Sequence, residues 1–442
     1  MANTSLLHTN TGTGSYQKST FSAWIKRTKT NTSEPNLGSI QCMWNNKFDG
    51  SNQLRFDFDA SDKIYLYGEE GGGYSLRALT TTVFKDTSGW YHIVVAIDTT
   101  QSNATNRIKL YVNGSLQTLN FSTTPGQNAN LRMNYNAKPV YVGSNAAANY
   151  FKGVMSHVHW VDGTAYAAST FGSTDSTTGQ WKINTSPSVT YGQNGFFILK
   201  DSNSVTDQSG RSNNFTVASG AITKSEDCPT NVFTVYNQLL NIPSSELSNG
   251  ATTINNASSG STRPILSSLG ASSGKFYAEF KTVTASSASR VGICAMDKYV
   301  LTEFTGVNAL SYGYLAGGTV ANNNSNTITG LSSYSSGDII GVAMDLDNNY
   351  LYFRKNNLAW ENSGNPTSGS TGTGGQAITA NNTYGFHVTV GPSSKKTSAN
   401  FGNGYFATSA ISSAGTNASN NGIFEYAVPS GYTALSTKGL NL

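Results

Sequence analysis

Charged residues are scarce in this sequence: Asp, Glu, Lys and Arg make up 12% of its 442 residues, against a usual share of ~25%. Coiled coils and long helices depend on Glu, Lys and Arg, so this composition excludes them and predicts little helix. The formal net charge is only +4, and the densest basic run, residues 26–29, is too short to follow a phosphate backbone. We therefore expect no nucleic-acid partner.

Cysteines and long apolar runs are also scarce. Cys42, Cys228 and Cys294 are an odd number at wide spacing, which argues against a disulfide framework and provides no C-x-x-C metal motif. We expect buried free thiols. No stretch approaches ~18 consecutive apolar residues, and residues 1–5 lack the basic-then-apolar order of a secretory signal. These absences predict a soluble protein that is made without export and does not insert into membranes.

Aromatic residues and glycine are abundant. The chain contains 23 Tyr, 20 Phe, 6 Trp and 45 Gly, so large side chains can build a core although the hydrophobic fraction is only 37%. Apolar and polar residues alternate over 54–59 and 63–67, which is the pattern of half-buried strands. Residues 107–112 lead into Asn113-Gly114, the strongest short signal for a hairpin with a type I′ turn.

The order of strand and turn patterns predicts an all-β protein of two domains. A turn-rich stretch over 184–231 interrupts the strands of the first half. Strand patterns resume over 275–282, 290–295, 338–346 and 350–355. We therefore place one domain at residues 1–231 and a second at 232–442, and predict two tandem antiparallel β-sandwiches. Two stretches rich in Gly, Ser and Thr, 362–375 and 409–422, are expected to be surface loops.

Motifs in both halves resemble known domain families. GWYHIVVAID at 89–98, RIKLYVNG at 107–114 and YFKGVMSHVH at 150–159 resemble the laminin G-like, concanavalin A-like jelly roll, a resemblance that covers roughly residues 1–230. GDIIGVAMDLD at 337–347 with LYFRKN at 351–356 resembles a SPRY domain. That family usually closes the following hairpin with Asn-Gly, whereas this chain has Asn356-Asn357, so we expect a longer turn.

Turn motifs of the chain resemble those of a group of bacteriophage virion proteins, many of them from marine phages. The motifs are FGSTD at 171–175, TGQW at 178–181, YGQNGF at 191–196, DQSGRSNNF at 207–215, DCPTN at 227–231 and PSGY at 429–432. The resemblance implies a structural protein on the virion surface, made in the host cytoplasm, as a tail fibre, tail appendage or head decoration. Its implied partners are other virion proteins. Self-association is expected, with closed symmetry as the default for such assemblies. The resemblance to virion appendages makes a trimer the first expectation.

Catalytic carboxylates are not evident in the sequence. A jelly-roll glycanase needs two carboxylates ~5–5.5 Å apart, which E-x-D-x-E on one strand face supplies. That triplet is absent, and the nearest pair, Asp57 and Asp59, is expected to be solvated or, alternatively, to bind a cation. Asp345 and Asp347 are expected to accept hydrogen bonds from backbone N–H groups of a turn. We predict no enzyme activity; the alternative function is a soluble lectin or an inactive glycanase-like domain.

Metal binding is predicted at neither of two candidate places. His157 and His159 stand at i and i+2 and are expected to be ordinary strand histidines, with a shared metal as the alternative. Glu69 and Glu70 precede the glycines 71–73, a composition typical of an acidic surface turn, with Ca²⁺ binding as the alternative. No cofactor is expected.

Aromatic residues near loops are the candidate ligand-binding residues. Sugar rings stack on aromatic side chains, and four residues are candidates: Tyr312, Tyr314, Trp360 and Trp44. The alternative is that each of them belongs to the core of its own domain. We expect host contact by loops of the second domain, with an envelope glycan as the target, and an architectural role for these loops as the alternative.

Overall fold

A computed structural model describes residues 3–30, 40–146, 148–200, 204–240 and 246–441. The fold is all-β, with 41% of residues in strands and 5% in helical turns, as predicted. The described residues contain no α-helix and six single 3₁₀ turns: Ala104–Asn106, Ala168–Thr170, Met296–Lys298, Glu361–Ser363, Gly369–Thr371 and Gly439–Asn441. The chain divides into two compact units, Met1–Lys224 (unit 1) and Ser225–Leu442 (unit 2).

Unit 1 contains two large antiparallel sheets and a small ribbon. Strands are numbered in chain order. The eight-stranded sheet has the order β10 (Leu119–Thr123), β6 (Gly73–Thr80), β5 (Ile64–Glu70), β4 (Gln53–Phe58), β3 (Gln41–Lys47), β11 (Pro139–Val142), β1 (Ser5–Thr9) and β16 (Thr216–Ser219). The six-stranded sheet has the order β15 (Phe196–Ile198), β12 (Gly153–Asp162), β2 (Lys18–Arg27), β7 (Tyr91–Asp98), β8 (Ile108–Val112) and β9 (Ser115–Leu116). β13 (Gly172–Thr174) and β14 (Trp181–Ile183) form the ribbon.

The core of unit 1 is apolar and lies between its two large sheets. Inward residues of both sheets, such as Phe21, Phe56 and Trp160, are buried in one cluster. A second cluster covers the outer face of the six-stranded sheet, where Phe171 and Tyr191 pack against strand residues. The six-stranded sheet is therefore buried on both faces over this region.

Unit 2 repeats the two-sheet arrangement. Its eight-stranded sheet has the order β17 (Leu247–Ser248), β18 (Thr253–Asn256), β29 (Lys395–Asn400), β20 (Lys275–Thr284), β25 (Ile339–Asp345), β26 (Tyr350–Lys355) and β27 (Gln376–Ala377), with β32 (Thr433–Ala434) pairing in parallel with β20. Its six-stranded sheet has the order β19 (Arg263–Leu266), β28 (Tyr384–Val390), β21 (Arg290–Ala295), β22 (Ser311–Leu315), β23 (Thr319–Asn322) and β24 (Ser325–Ile328). β30 (Tyr405–Phe406) and β31 (Ser409–Ala410) form a ribbon.

A late segment of unit 2, residues 401–435, covers the outer face of the eight-stranded sheet; we call it the C-terminal cover. Phe424, Val428 and Tyr432 of the cover pack against Tyr277 and Tyr352 of the sheet. The main core of unit 2 lies on the other face of the same sheet. The central strands of this sheet are therefore buried on both faces.

The two stretches expected to be surface loops lie largely at the surface of unit 2, and each is attached to the rest of the unit. Residues 362–375 lie against the sheet, because Gly372, with φ of 60°, leaves no space for a Cβ beside the Tyr350 ring. The stretch 409–422 begins in the short strand β31, and Asn421 is buried and donates a hydrogen bond to Thr433 Oγ1 at 2.8 Å. Both stretches are therefore surface loops, as predicted, and each has at least one buried point of attachment to unit 2.

Several turn predictions are confirmed by backbone geometry. Asn113 and Gly114 have φ of 48° and 78° and join β8 to β9 as a two-residue hairpin turn. Asp345 accepts hydrogen bonds from the backbone N–H groups of Asp347 and Asn348, at 3.1 and 3.0 Å. Asp347 in turn accepts one from the N–H of Gly274 at 2.7 Å. These carboxylates stabilise turns, as the sequence predicted.

The predicted boundary between residues 231 and 232 lies inside unit 2. Asn231 pairs with Cys228, and its side chain donates a hydrogen bond to Asn421 Oδ1 at 2.8 Å. These contacts attach the segment before residue 232 to unit 2 and explain the division at 224/225. All three cysteines are free; Cys42 and Cys294 are buried as expected, whereas Cys228 is partly exposed.

Candidate functional site

An open face of the eight-stranded sheet of unit 1 carries five aromatic and basic side chains. Arg55, Tyr65, Tyr67 and Arg77 alternate with core residues along β4, β5 and β6, so the strand period of two places these four on the outer side of the sheet. Tyr74 stands three residues before Arg77 and reaches the same side because the register between β5 and β6 shifts between Gly68 and Glu69. Arg55, Tyr67 and Arg77 form one row across the three strands, since Tyr67 is the register partner of both arginines. We define the tyrosine–arginine face by these residues: Arg55, Tyr65, Tyr67, Tyr74 and Arg77.

Contacts among the side chains fix the geometry of the tyrosine–arginine face. The guanidinium carbon of Arg55 lies 4.2 Å from the ring centre of Tyr67, and that of Arg77 lies 4.4 Å from the ring centre of Tyr74. Arg77 Nε also donates a hydrogen bond to the Tyr65 hydroxyl at 2.9 Å. Tyr74 is 51% exposed, and the other four are partly exposed. The face therefore offers rigid aromatic surfaces beside hydrogen-bond donors, which is the chemistry that a sugar ring requires.

Two carboxylates lie on the same side of the sheet but do not form a catalytic pair. Asp57 is fully buried beside Arg55, with Arg55 Nε to Asp57 Oδ2 at 2.8 Å, aligned as an ion pair rather than a hydrogen bond. Burial raises the pKa of Asp57 to about 6, against the opposing effect of Arg55. Glu69 accepts hydrogen bonds from the Tyr67 hydroxyl at 2.8 Å and Gln53 at 3.1 Å. Glu69 is the register partner of Gln53, four residues along β4 from Asp57, which corresponds to about 13 Å at the usual strand rise.

A buried Ser–His pair in unit 1 lacks the proton arrangement of a catalytic pair. His92 Nδ1 accepts a hydrogen bond from the Trp181 indole at 2.9 Å, and an indole is only a donor. The imidazole proton is therefore on Nε2, which lies 2.9 Å from Ser22 Oγ and donates to it. Burial lowers the pKa of His92 to about 3. A neutral histidine that donates to the serine cannot remove the proton of that serine.

Three of the four predicted ligand-binding aromatics belong to cores. Trp44 and Tyr314 are 0% exposed, and Tyr312 is 3% exposed. The Tyr312 hydroxyl lies 3.1 Å from Thr379 Oγ1, and Trp44 stacks on Trp160 with ring centres 4.2 Å apart. The structure therefore places these three side chains among neighbours of their own unit, as the alternative interpretation described.

Trp360 is the predicted aromatic that stays partly exposed. Beyond β26 the chain reverses and Trp360 forms an isolated bridge with Arg354, so the turn at Asn356-Asn357 is longer than a two-residue hairpin, as expected. The guanidinium carbon of Arg354 lies 5.1 Å from the indole centre, and Trp360 also packs at the edge of the cluster under the C-terminal cover. One side of the indole is thus occupied by its own unit.

The candidate metal-binding residues are engaged with protein groups. His157 lies at a register irregularity with φ of 49°, and both His157 and His159 are buried beside Phe197 rather than facing outward from a regular strand. Glu70 pairs with Arg132. Within the described ranges, no group of three or more His, Cys, Asp or Glu side chains is arranged to hold a metal ion.

The expectation that Asp57 and Asp59 are solvated carboxylates of one strand face is wrong. β4 ends at Phe58, so Asp59 lies in the following turn and accepts hydrogen bonds from the backbone of Ser61 and Lys63, at 2.9 and 2.8 Å. Asp57 stays in the strand but is buried. The two carboxylates therefore have separate structural roles.

The residues of the tyrosine–arginine face were not among the predicted site residues. The alternation over 54–59 and 63–67 predicted the two strands, and it placed Tyr65 and Tyr67 on one side. It could not show which side of the sheet remains open. That information lies in the segments that cover other faces of the molecule.

Comparisons with known proteins agree with this fold. Residues 2–170 match the family model of the concanavalin A-like lectin/glucanases superfamily, a fold that suggests carbohydrate binding. No curated protein matches the chain. Within the described residues, no helix has the length and apolar character needed to cross a membrane.

Solved structures with similarity to the chain include three of different origin. The SPRY domain of human HERC1 is 18% identical and aligns over 34% of this chain and 87% of its own, with a TM-score of 0.26. A heptameric SAP-like pentraxin from Limulus polyphemus is 11% identical over 45% of this chain and 89% of its own, with a TM-score of 0.29. Domain 4 of AbnA, a GH43 arabinanase from Geobacillus stearothermophilus in complex with arabinotriose, is 17% identical. It aligns over 35% of this chain and 64% of its own, with a TM-score of 0.26.

Proposed function

We propose that the protein is a non-enzymatic, glycan-binding structural protein on the surface of a bacteriophage particle, and that the tyrosine–arginine face of unit 1 contacts the glycan. The observation that carries the binding part is the partly exposed row Arg55, Tyr67 and Arg77, held by cation–π contacts on a sheet. Strands position side chains more firmly than loops do, so this face is organised before a ligand arrives. The lectin/glucanase match over residues 2–170 supports the same class of ligand.

The absence of enzyme activity is part of the proposal. Retaining glycosidases hold their carboxylates ~5–5.5 Å apart and inverting ones ~6.5–9.5 Å apart. The backbone positions of Asp57 and Glu69 are offset by about 13 Å along the sheet, which is more than either spacing. Asp57 is also buried and paired with Arg55. The proton position at His92 gives Ser22 no base. A soluble lectin remains the alternative function, with the same binding face and no particle.

The virion part of the proposal is supported by the turn motifs that resemble those of phage proteins. In DQSGRSNNF, Asp207 accepts hydrogen bonds from the backbone N–H groups of Phe197 and Asn213, at 2.8 and 2.9 Å. Asn213 Nδ2 donates to the carbonyl groups of Gln193 and Gly195, at 3.0 and 2.8 Å. Residues of the two motifs thus bond to each other and hold one turn in place. The resemblance therefore includes residues that stabilise the same local structure.

Binding should be tested with the full chain displayed densely on beads and a panel of bacterial envelope polysaccharides. Tyr74→Ala and Tyr67→Ala should lose retention, because they remove two stacking surfaces. Tyr405→Ala, a partly exposed tyrosine of unit 2, is the matched control. Equal retention of all variants would remove the tyrosine–arginine face from the function. Trp360→Ala in the same assay tests the predicted contact of unit 2 with host glycans.

Mass spectrometry of purified particles tests the virion assignment. The chain should be found in particles together with other virion proteins, as a homo-oligomer for which we propose a trimer. Light scattering of the isolated protein gives the number of copies. A protein found only free in culture fluid, as a monomer, would favour the lectin alternative.

A further inference from the structure

Arg77 differs from Arg55 in the charge that surrounds it. Arg55 lies 2.8 Å from the Asp57 carboxylate. Arg77 has no such partner: among the described residues, no carboxylate lies within ion-pair distance of its guanidinium group, and the groups that interact with it are the hydroxyls and rings of Tyr65, Tyr67 and Tyr74. The tyrosine–arginine face therefore contains one cation whose charge is not compensated by the protein.

The position of Arg77 is fixed although its charge is uncompensated. Its Nε donates to the Tyr65 hydroxyl at 2.9 Å, and its guanidinium plane is held over the Tyr74 ring. In the described part of the chain, no acceptor takes a hydrogen bond from its Nη atoms. A partly exposed guanidinium group with free Nη–H donors suits the two oxygens of a carboxylate or a sulfate ester.

Aromatic and ionic contacts on this face address different parts of one ligand. The rings of Tyr67 and Tyr74 suit the apolar face of a sugar, and they meet edge to face with ring centres 5.8 Å apart. Arg77 is adjacent to both, as the register partner of Tyr67 and with its guanidinium carbon 4.4 Å from the Tyr74 ring centre. An acidic group attached to a sugar that stacks on either ring is thus near the guanidinium. A neutral sugar would leave that cation without a partner.

We propose, resting on the proposed glycan-binding function, that the ligand of the tyrosine–arginine face is an acidic polysaccharide whose carboxylate or sulfate group pairs with Arg77. The tyrosines bind the sugar ring and Arg77 selects the charge. Individual contacts of this kind are weak, so many copies on one particle would provide the avidity.

The test measures retention of the densely displayed full chain on three immobilised polymers: polygalacturonate, dextran sulfate and neutral dextran. Retention on at least one acidic polymer should exceed that on dextran, and the two acidic polymers separate carboxylate from sulfate as the preferred group. Arg77→Gln should weaken acidic retention by about tenfold, because one charge-assisted contact is lost. Arg77→Lys should recover only part of it, since lysine lacks the planar fork. Arg211→Gln, an exposed loop arginine, is the matched control.

The possible negative results distinguish a failure of the acidic-ligand proposal from a failure of the glycan-binding function. Equal retention on neutral and acidic polymers, or an unchanged Arg77→Gln variant, overturns the acidic ligand and leaves glycan binding intact. Retention on none of a broad polysaccharide panel overturns the glycan-binding function itself. If inorganic polyphosphate is retained as strongly as the acidic polysaccharides and Tyr74→Ala binds normally, the attraction is only one between charges, and the proposal fails.

Discussion

A pair of tyrosines lies on the outer face of the eight-stranded sheet in each unit, but the two pairs have different surroundings. Tyr65 and Tyr67 in β5 and Tyr350 and Tyr352 in β26 stand at i and i+2 on the outer face of an eight-stranded sheet. Tyr67 is partly exposed, whereas Tyr352 is buried under the C-terminal cover. The strand sequence is alike in the two places. What differs is the cover: in unit 2 the loop 362–375 lies against both tyrosine rings, and the C-terminal cover packs on Tyr352. The availability of a binding surface is therefore decided by tertiary cover and not by the strand.

The same comparison extends to two buried carboxylates on these outer faces. Glu279 under the cover accepts hydrogen bonds from the backbone N–H groups of Glu425 and Tyr426, both at 2.8 Å. Asp57 in unit 1 has the adjacent Arg55 and no backbone donor among the described residues. Burial raises both pKa values, Glu279 to about 7 and Asp57 to about 6. In unit 2 the carboxylate also serves to attach the cover.

We expect the greatest loss of stability from a substitution that removes a contact between the C-terminal cover and the sheet. Phe424 is 0% exposed and packs edge-to-face on Tyr277, with ring centres 5.0 Å apart. Phe424→Ala should destabilise unit 2 by about 3–5 kcal/mol, because it leaves a cavity under the cover. Hydrogen exchange measured on peptides of each unit should show faster exchange over 401–435 and an unchanged unit 1. Unchanged protection of the cover would show that it does not depend on this contact.

A somewhat smaller effect is expected from Glu279. Its pKa is raised from 4.5 to about 7. Between these two pH values the folded unit therefore holds a proton that the unfolded chain has already lost. The stability that this group contributes is therefore fully present below about pH 4.5 and decreases as the pH rises to 7. Above pH 7 the unfolding free energy of unit 2 is about 3 kcal/mol lower than it is below pH 4.5. Glu279→Gln should flatten the stability profile of unit 2 between pH 5 and 8.

Denaturant unfolding across this pH range measures the Glu279 effect. Glu303→Gln, at a partly exposed glutamate of the same unit, is the control and should keep the wild-type slope. A wild-type unit 2 whose stability does not fall between pH 5 and 8 would contradict the prediction. Glu279→Ala should be worse than Glu279→Gln at every pH, because it leaves the N–H groups of Glu425 and Tyr426 without an acceptor.

Asp57 should give unit 1 a corresponding pH dependence of stability, at lower pH and with a smaller change in unfolding free energy. Its pKa is raised from 3.8 to about 6, so its contribution to stability is present below about pH 4 and is lost as the pH rises through 6. Asp57→Asn should make unit 1 more stable at pH 7, by about 2–3 kcal/mol. Thermal unfolding at pH 4.5 and 7 measures the difference between the two proteins. A less stable variant at pH 7 would mean that the ion pair with Arg55 outweighs burial.

Most of the fold could be predicted from the sequence, whereas the site could not. Period-two alternation and turn residues such as Asn113-Gly114 are local signals, so strands and hairpins follow from them. Burial of Tyr312, Tyr314 and Trp44 depends on residues from distant strands, and so does exposure of Tyr65 and Tyr67. An aromatic residue next to a predicted loop is therefore a weak sign of a ligand site. The division of a sheet into covered and open faces is the missing information.

The smallest effect on stability is expected at Tyr74, where a loss of binding can be separated from a loss of stability. Its side chain is 51% exposed and contacts Arg77 and Tyr67 on the open face. Tyr74→Ala should change the unfolding free energy of unit 1 by less than about 0.5 kcal/mol, since little buried area is lost. Glycan retention should nevertheless fall, because a stacking surface is removed. Tyr352→Ala, at the covered counterpart, should show the reverse, with lower stability of unit 2 and unchanged retention. If Tyr74→Ala unfolds the unit as readily as Tyr352→Ala does, the outer face of unit 1 is structural, and binding must be sought elsewhere.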